Sequence, residues 1–158
     1  MKYFRGPAQR IGWLFVVATV AGVSSVLAMS STLGDDDLLG AVASNQGALL
    51  LGQMLIFVML TAMVGTAILL RPVLGRHSET LALSYVLART LEVVMISIGL
   101  VAGLLLIPLS WNAAAGDGDM AGTAVLADSL KTTSDWTGYL GAQMIFSISA
   151  LVLNGAFL

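Results

Sequence analysis

Four long apolar stretches run along this chain, at residues 11–29, 48–70, 81–109 and 136–158, divided by three shorter polar ones. A helix needs about 20 mostly apolar residues to cross a hydrocarbon core roughly 30 Å thick. The pattern therefore predicts four transmembrane helices. The third stretch exceeds a straight crossing and is expected to tilt, bend or leave the bilayer near Pro108. Ser44 or Asn45 stands at the N-cap position of the second span, Ser78 with Glu79 at the third, and Ser134 with Asp135 at the fourth. Residues 30–47 and 110–135 are expected to form acidic loops on one side, and residues 71–80 a short loop on the other. Within those loops, Asp36–Ala43 fits a short surface helix. Met120–Lys131 fits a single amphipathic turn in an otherwise mobile segment.

Inside the spans the polar residues recur at helical spacing. In the third, Tyr85, Arg89, Glu92, Ile96, Gly99 and Gly103 share one face. Gly99 and Gly103 form a small-residue pair of the kind that lets a neighbouring helix approach closely. A face that carries both an ion pair and small residues is expected to point into the bundle. The fourth span has a stripe of Tyr139, Gln143, Ser147, Ala150 and Asn154, and the second has Gln53, Phe57, Thr61 and Gly65. Convergence of the three faces would make a layered polar column. Its candidate members are Arg89, Glu92, Tyr85, Thr61, Gln53, Gln143, Ser147 and Asn154, with Gly99 and Gly103 assigned to helix packing.

Composition removes most other chemistry. Hydrophobic residues make up 58% of the 158 positions and charged ones only 10%, against about a quarter in soluble domains. A water-soluble fold is thereby excluded. With no cysteine, disulfides, thiolate metal sites and cysteine nucleophiles drop out together. A net charge of −2 without a Lys/Arg-rich run argues against nucleic acid. His77 is the single histidine, so no zinc site is expected. Asp117, Asp119, Gly122 and Asp128 match parts of a calcium loop, but Ala121 occupies a ligand position and the last ligand is not Glu. No motif activates a serine or threonine, and no Gly-rich phosphate loop exists. No metal, cofactor or enzymatic activity is expected.

Charge between the spans sets the expected orientation. Lys2, Arg5 and Arg10 precede the first span and Arg71 and Arg76 lie in the 71–80 loop. The other two loops hold Lys131 against seven aspartates, Asp35, Asp36, Asp37, Asp117, Asp119, Asp128 and Asp135. The positive-inside rule then puts the N-terminus in the cytoplasm of a multi-pass cell-membrane protein. Trp13, Trp111 and Trp136 fall near span ends, as interfacial aromatics do. The first apolar run is longer than a signal-peptide core, so it reads as a span.

Arg89 and Glu92 remain the chief anomaly. A charge at mid-bilayer costs about 2.5–3.5 kcal/mol on insertion scales. Two opposite charges one turn apart offset much of that by pairing. Such a pair serves either to lock helix packing or to hold a ligand, ion or proton.

The stretch Pro72–Tyr85, followed by Arg89 and Glu92, resembles the small polytopic membrane family catalogued as domain of unknown function 4386, found in bacteria and archaea. Arg10-Ile11 at the first span and Asn45 before the second fit the same pattern. The resemblance implies an all-helical membrane fold without an established activity. It also implies a further pair of spans beyond Phe157-Leu158, supplied by a partner or a second copy if this chain lacks them.

The expectation is thus an all-α integral membrane bundle of four helices, in contact with the lipid bilayer. The leading functional expectation is a non-catalytic protein acting through helix–helix contacts, as a homo-oligomer or an accessory subunit of a larger membrane complex. The alternative is a small transporter, channel or intramembrane sensor that uses Arg89 and Glu92, with Gln53, Gln143, Ser147 and Asn154 along the route. A cavity reaching Glu92 would favour the alternative, and dry packing around a satisfied pair the former.

Overall fold

Polar side chains start and stop the helices of this protein, and apolar faces decide how they pack. A computed structural model describes residues 5–116 and 119–155. The helices are α1 (Arg5–Leu33), α2 (Leu38–Ser44), α3 (Gln46–Leu74), α4 (Glu79–Ala115), α5 (Met120–Tyr139) and α6 (Phe146–Gly155), with a π-helical turn, Leu140–Ile145, joining the last two. No strand occurs among the described residues. Four of these segments are long and apolar enough to cross a membrane, α5 and α6 acting as one. Val20, Leu27, Met54, Ile68, Leu91 and Leu151 all lie exposed on their outer surfaces. Lipid solvates such a surface and water does not.

Ser78 caps α4 as expected, accepting the Leu81 N–H at 3.4 Å. Asn45 differs. It holds the N-cap position of α3 without a side-chain bond there, and its Nδ2 donates back to the Ala41 carbonyl at 3.3 Å. Its side chain therefore serves α2, while its carbonyl opens α3 by accepting the Ala48 and Leu49 N–H groups. Gly116, at φ 69°, ends α4 in the left-handed conformation that a residue without Cβ adopts cheaply.

The described residues of the polar segment 110–135 are almost all helical, not a loop. α4 continues to Ala115 past Pro108, and α5 begins at Met120 with Asp119 as its N-cap, accepting the Ala121 N–H at 3.1 Å. Ser134 and Asp135 consequently lie within a helix, not at its start. Ala127 and Leu130 bring α5 against Leu106, Ile107 and Val42, which gives this stretch a core of its own. Residues 30–47 are likewise mostly helical, and α2 is the expected short helix, exposed at Gly40, Ala43 and Ser44 and anchored by Ala41 and the fully buried Val42 on its other face. At 37 residues α4 is about 55 Å long. It outruns the hydrocarbon core, and its far end pairs with α5 to build a small head capped by α2. Asp117 lies outside the described residues, as do residues 156–158.

Packing follows a chain of neighbours. α1 packs along α3, α3 along α4, and α4 along α5 and α6. Clusters of buried side chains fill three levels: Val42, Leu49, Leu106 and Ile107 at the head; Leu60, Met63 and Ile96 midway; Ala67, Leu70, Leu74, Ala82 and Tyr85 at the opposite end. The circuit does not close. Between α1 and the α5–α6 helix there is a groove instead of a packed seam.

Candidate functional site

Tyr85, Arg89, Glu92, Ile96, Gly99 and Gly103 are all buried, so this stripe is the inward face of α4. One unbroken α-helix carries them all, which keeps them in line. The two glycines serve different neighbours. A Cβ on Gly99 would stand 2.6 Å from Thr137 Oγ1 and 3.1 Å from the Ser134 carbonyl, both on α5. A Cβ on Gly103 would collide with the Gln53 side chain of α3. α4 is thereby held close on two sides.

Arg89 and Glu92 are 4% and 2% exposed and form a single-point ion pair, Nη1 donating to Oε2 at 2.8 Å. Arg89 Nε donates to the Tyr85 hydroxyl at 3.1 Å. Three aromatic rings surround the guanidinium carbon: Phe146 of α6 at 5.4 Å, and Phe15 of α1 and Tyr85 at 5.6 Å. Ring faces attract a cation, so the arginine has four favourable neighbours where the glutamate has one. The rings also join α1 to α6 across Arg89, and with Val152 and Leu153 below them they close this end of the bundle.

On the other side of the pair lies open space. A groove of about 910 Å³ runs between α1 and the α5–α6 helix, floored by α3 and α4. Along α1 it extends from Phe15 to Gly34, about 28 Å by helical rise. Arg89, Glu92 and Thr66 line its deep end, Gln143 and Tyr139 its wall, and Lys131 with Asp135 the end near the head. Lys131 Nζ and Asp135 Oδ2 pair at 2.9 Å. Arg89 Nη2 and Glu92 Oε1 have no hydrogen-bond partner among the described residues. Among the described residues the buried side-chain polar atoms left without one are Thr32 Oγ1 and Gln53 Oε1, both elsewhere, so neither free atom of the pair is sealed off.

The other candidates divide. Tyr139 and Gln143 reach the groove, whereas Ser147 and Asn154 are exposed outside it and the Ser147 hydroxyl bonds the Gln143 carbonyl. Gln53 is buried, but against Gly103, about 21 Å along α4 from Arg89. Thr61 is exposed on the outer face of α3, bonding Phe57. No layered column forms. Thr66 stands nearer the pair than Thr61, its hydroxyl bonded to the Met63 carbonyl. Phe15 and Phe146 escaped the sequence reading, because a lone aromatic in an apolar run carries no signal of what it faces. The π-turn escaped it too. It places Gly141 where a Cβ would meet Ile96 and the Glu92 carbonyl, bringing the two backbones together beside the pair.

The sequence model of one family, described as domain of unknown function (DUF4386), matches residues 11–158. No curated protein and no solved structure matches.

Proposed function

The chain belongs to the DUF4386 family, and from that premise we propose that it is a membrane protein that binds a ligand inside the bilayer, in the groove that ends at Arg89 and Glu92. The observation that carries this reading is a groove of about 910 Å³ that reaches the pair. A pair that only locked helices together would gain from enclosure on every side, since low dielectric strengthens the attraction and packing excludes water. Here each partner keeps one polar atom free beside open space. That arrangement suits a transporter or an intramembrane sensor, and its residues suit binding rather than catalysis.

The surrounding charges support a cytoplasmic N-terminus in the cell membrane. Arg10, Arg71 and Arg76 share one end of the bundle, and Asp35, Asp37, Asp119 and Asp128 the other. In that orientation the groove opens towards the outer face and closes inward at the three rings. A second reading, an accessory subunit or homo-oligomer, is favoured by one observation. Among the long helices α1 packs along α3, with a smaller contact to α2, which leaves a seam that a partner helix would fill.

Thermal unfolding in detergent of the parent, Arg89→Ala, Glu92→Ala and the double variant separates the two readings. Without Glu92 the arginine keeps its three rings and the Tyr85 hydroxyl. Without Arg89 the glutamate keeps nothing. The expected pattern is asymmetric: Glu92→Ala unfolds at or above the parent temperature, as when function retains a charge against stability, and Arg89→Ala well below it. Breaking an enclosed buried pair costs about 3–5 kcal/mol from either side. Equal large losses in both single variants, mostly recovered in the double, would assign the pair to packing.

A further inference from the structure

We propose that the occupant of the groove is a neutral amphiphile, with a hydroxyl-bearing head on Arg89 and Glu92 and an apolar tail along α1 and the α5–α6 helix. This rests on the groove being a ligand site. Charge is the first ground. The charged side chains lining the groove are Arg89, Glu92, Lys131 and Asp135, and each already has its opposite within 2.9 Å. A charged head would therefore enter a low-dielectric site with no counter-charge left for it, which costs several kcal/mol. A neutral head leaves the balance intact.

Hydrogen bonding is the second. Arg89 Nη2 offers a donor without an acceptor, and Glu92 Oε1 an acceptor without a donor. A hydroxyl satisfies both at once, because it donates and accepts through one small group. A ketone or ester serves only the arginine, and an amine with no free acceptor only the glutamate.

The walls supply the third. Towards the head the groove passes Gly22, Val26 and Met29 of α1 and Gly138 and Ala142 of the facing helix. These are small or apolar, over a length of about 10 Å along α1. The lack of continuous packing between α1 and the α5–α6 helix leaves the seam open sideways. A molecule dissolved in the bilayer can enter there without crossing water.

The test uses the full chain in lipid nanodiscs and three diazirine-bearing probes of equal chain length: a long-chain alcohol, the matching carboxylate and the matching trimethylammonium. Photolabelled positions are mapped by mass spectrometry. The alcohol is expected to label both walls, near residues 15–34 and 138–146, at least about tenfold more than either charged probe, a ratio equivalent to about 1.4 kcal/mol. Ala142→Trp, which fills the groove without touching the pair, is expected to abolish that labelling. Thr19→Trp on the opposite wall is the second variant should the first fail to fold. Equal or stronger labelling of the groove by a charged probe would overturn the neutral class while leaving the groove a ligand site. Labelling confined to lipid-facing positions, and unchanged by either tryptophan, would overturn the proposal. Paired with the symmetric stability pattern above, that result would remove the ligand-site reading as well.

Discussion

At the scale of single residues, Arg89 is what the protein is organised around. Its guanidinium meets side chains from three helices, and only two of these contacts, Tyr85 and Glu92, lie on its own helix. The contacts with Phe15 and Phe146 connect α1 to α6 where no continuous packing does. Each cation–ring contact is worth about 0.5–2 kcal/mol, more when desolvated. Phe146→Leu is accordingly expected to lower stability in the parent by about that amount. In an Arg89→Met background the same change should matter much less. A double-mutant cycle of thermal unfolding reads the difference, and an equal loss in both backgrounds would show that Phe146 acts through packing alone.

At the scale of elements, legibility in the sequence depended on whether a helix kept its period. The α4 stripe was legible because its 4-3-4-3-4 spacing tracks 3.6 residues per turn, and one straight helix carries it. Gln53, Phe57, Thr61 and Gly65 are spaced by four throughout, so each step drifts by about 40°. Over the two steps from Gln53 to Thr61 the drift reaches about 80°, which leaves Gln53 inside and Thr61 outside. In the fourth span the six-residue π-turn resets the phase by about 100°. Gln143 therefore no longer shares a face with Ser147 and Asn154. The helical head was missed for a different reason. A helix that leaves the bilayer has no need of apolar residues all round, so the polar composition of residues 120–135 reads as loop when judged by membrane rules. Its cap is the place to check this. Asp119→Ala removes the acceptor for the Ala121 N–H and is expected to cost about 1 kcal/mol. It should raise protease cleavage between residues 120 and 135, where the parent resists. A parent cut there as readily as the variant would return this segment to a loop.

At the scale of the whole molecule, four spans make a bundle that is closed at one end and open along one side. Aromatic and aliphatic side chains seal the end below Arg89, and α2 with the α4–α5 head covers the other. The groove between α1 and the α5–α6 helix is what remains, and the intramembrane charges lie at its deep end. Membrane bundles hold together through close packing and polar contacts, because lipid supplies no hydrophobic drive between helices. An unpacked seam of this length therefore forgoes stabilisation, which the proposed occupant would restore.

The most direct test is the accessibility of that seam. The chain has no cysteine, so single cysteines can carry a nitroxide without other changes. Labels at Ala142 on the groove wall, Ile148 on the outer face and the buried Ser149 would be measured by electron paramagnetic resonance in nanodiscs. Relaxation by oxygen reports contact with lipid, and relaxation by a nickel chelate contact with water. The label at Ala142 is expected to be mobile and relaxed by one of the two at least as strongly as the label at Ile148. A spectrum at Ala142 as immobile and protected as that at Ser149 would mean that protein fills the seam, and would contradict an open site reaching Arg89 and Glu92.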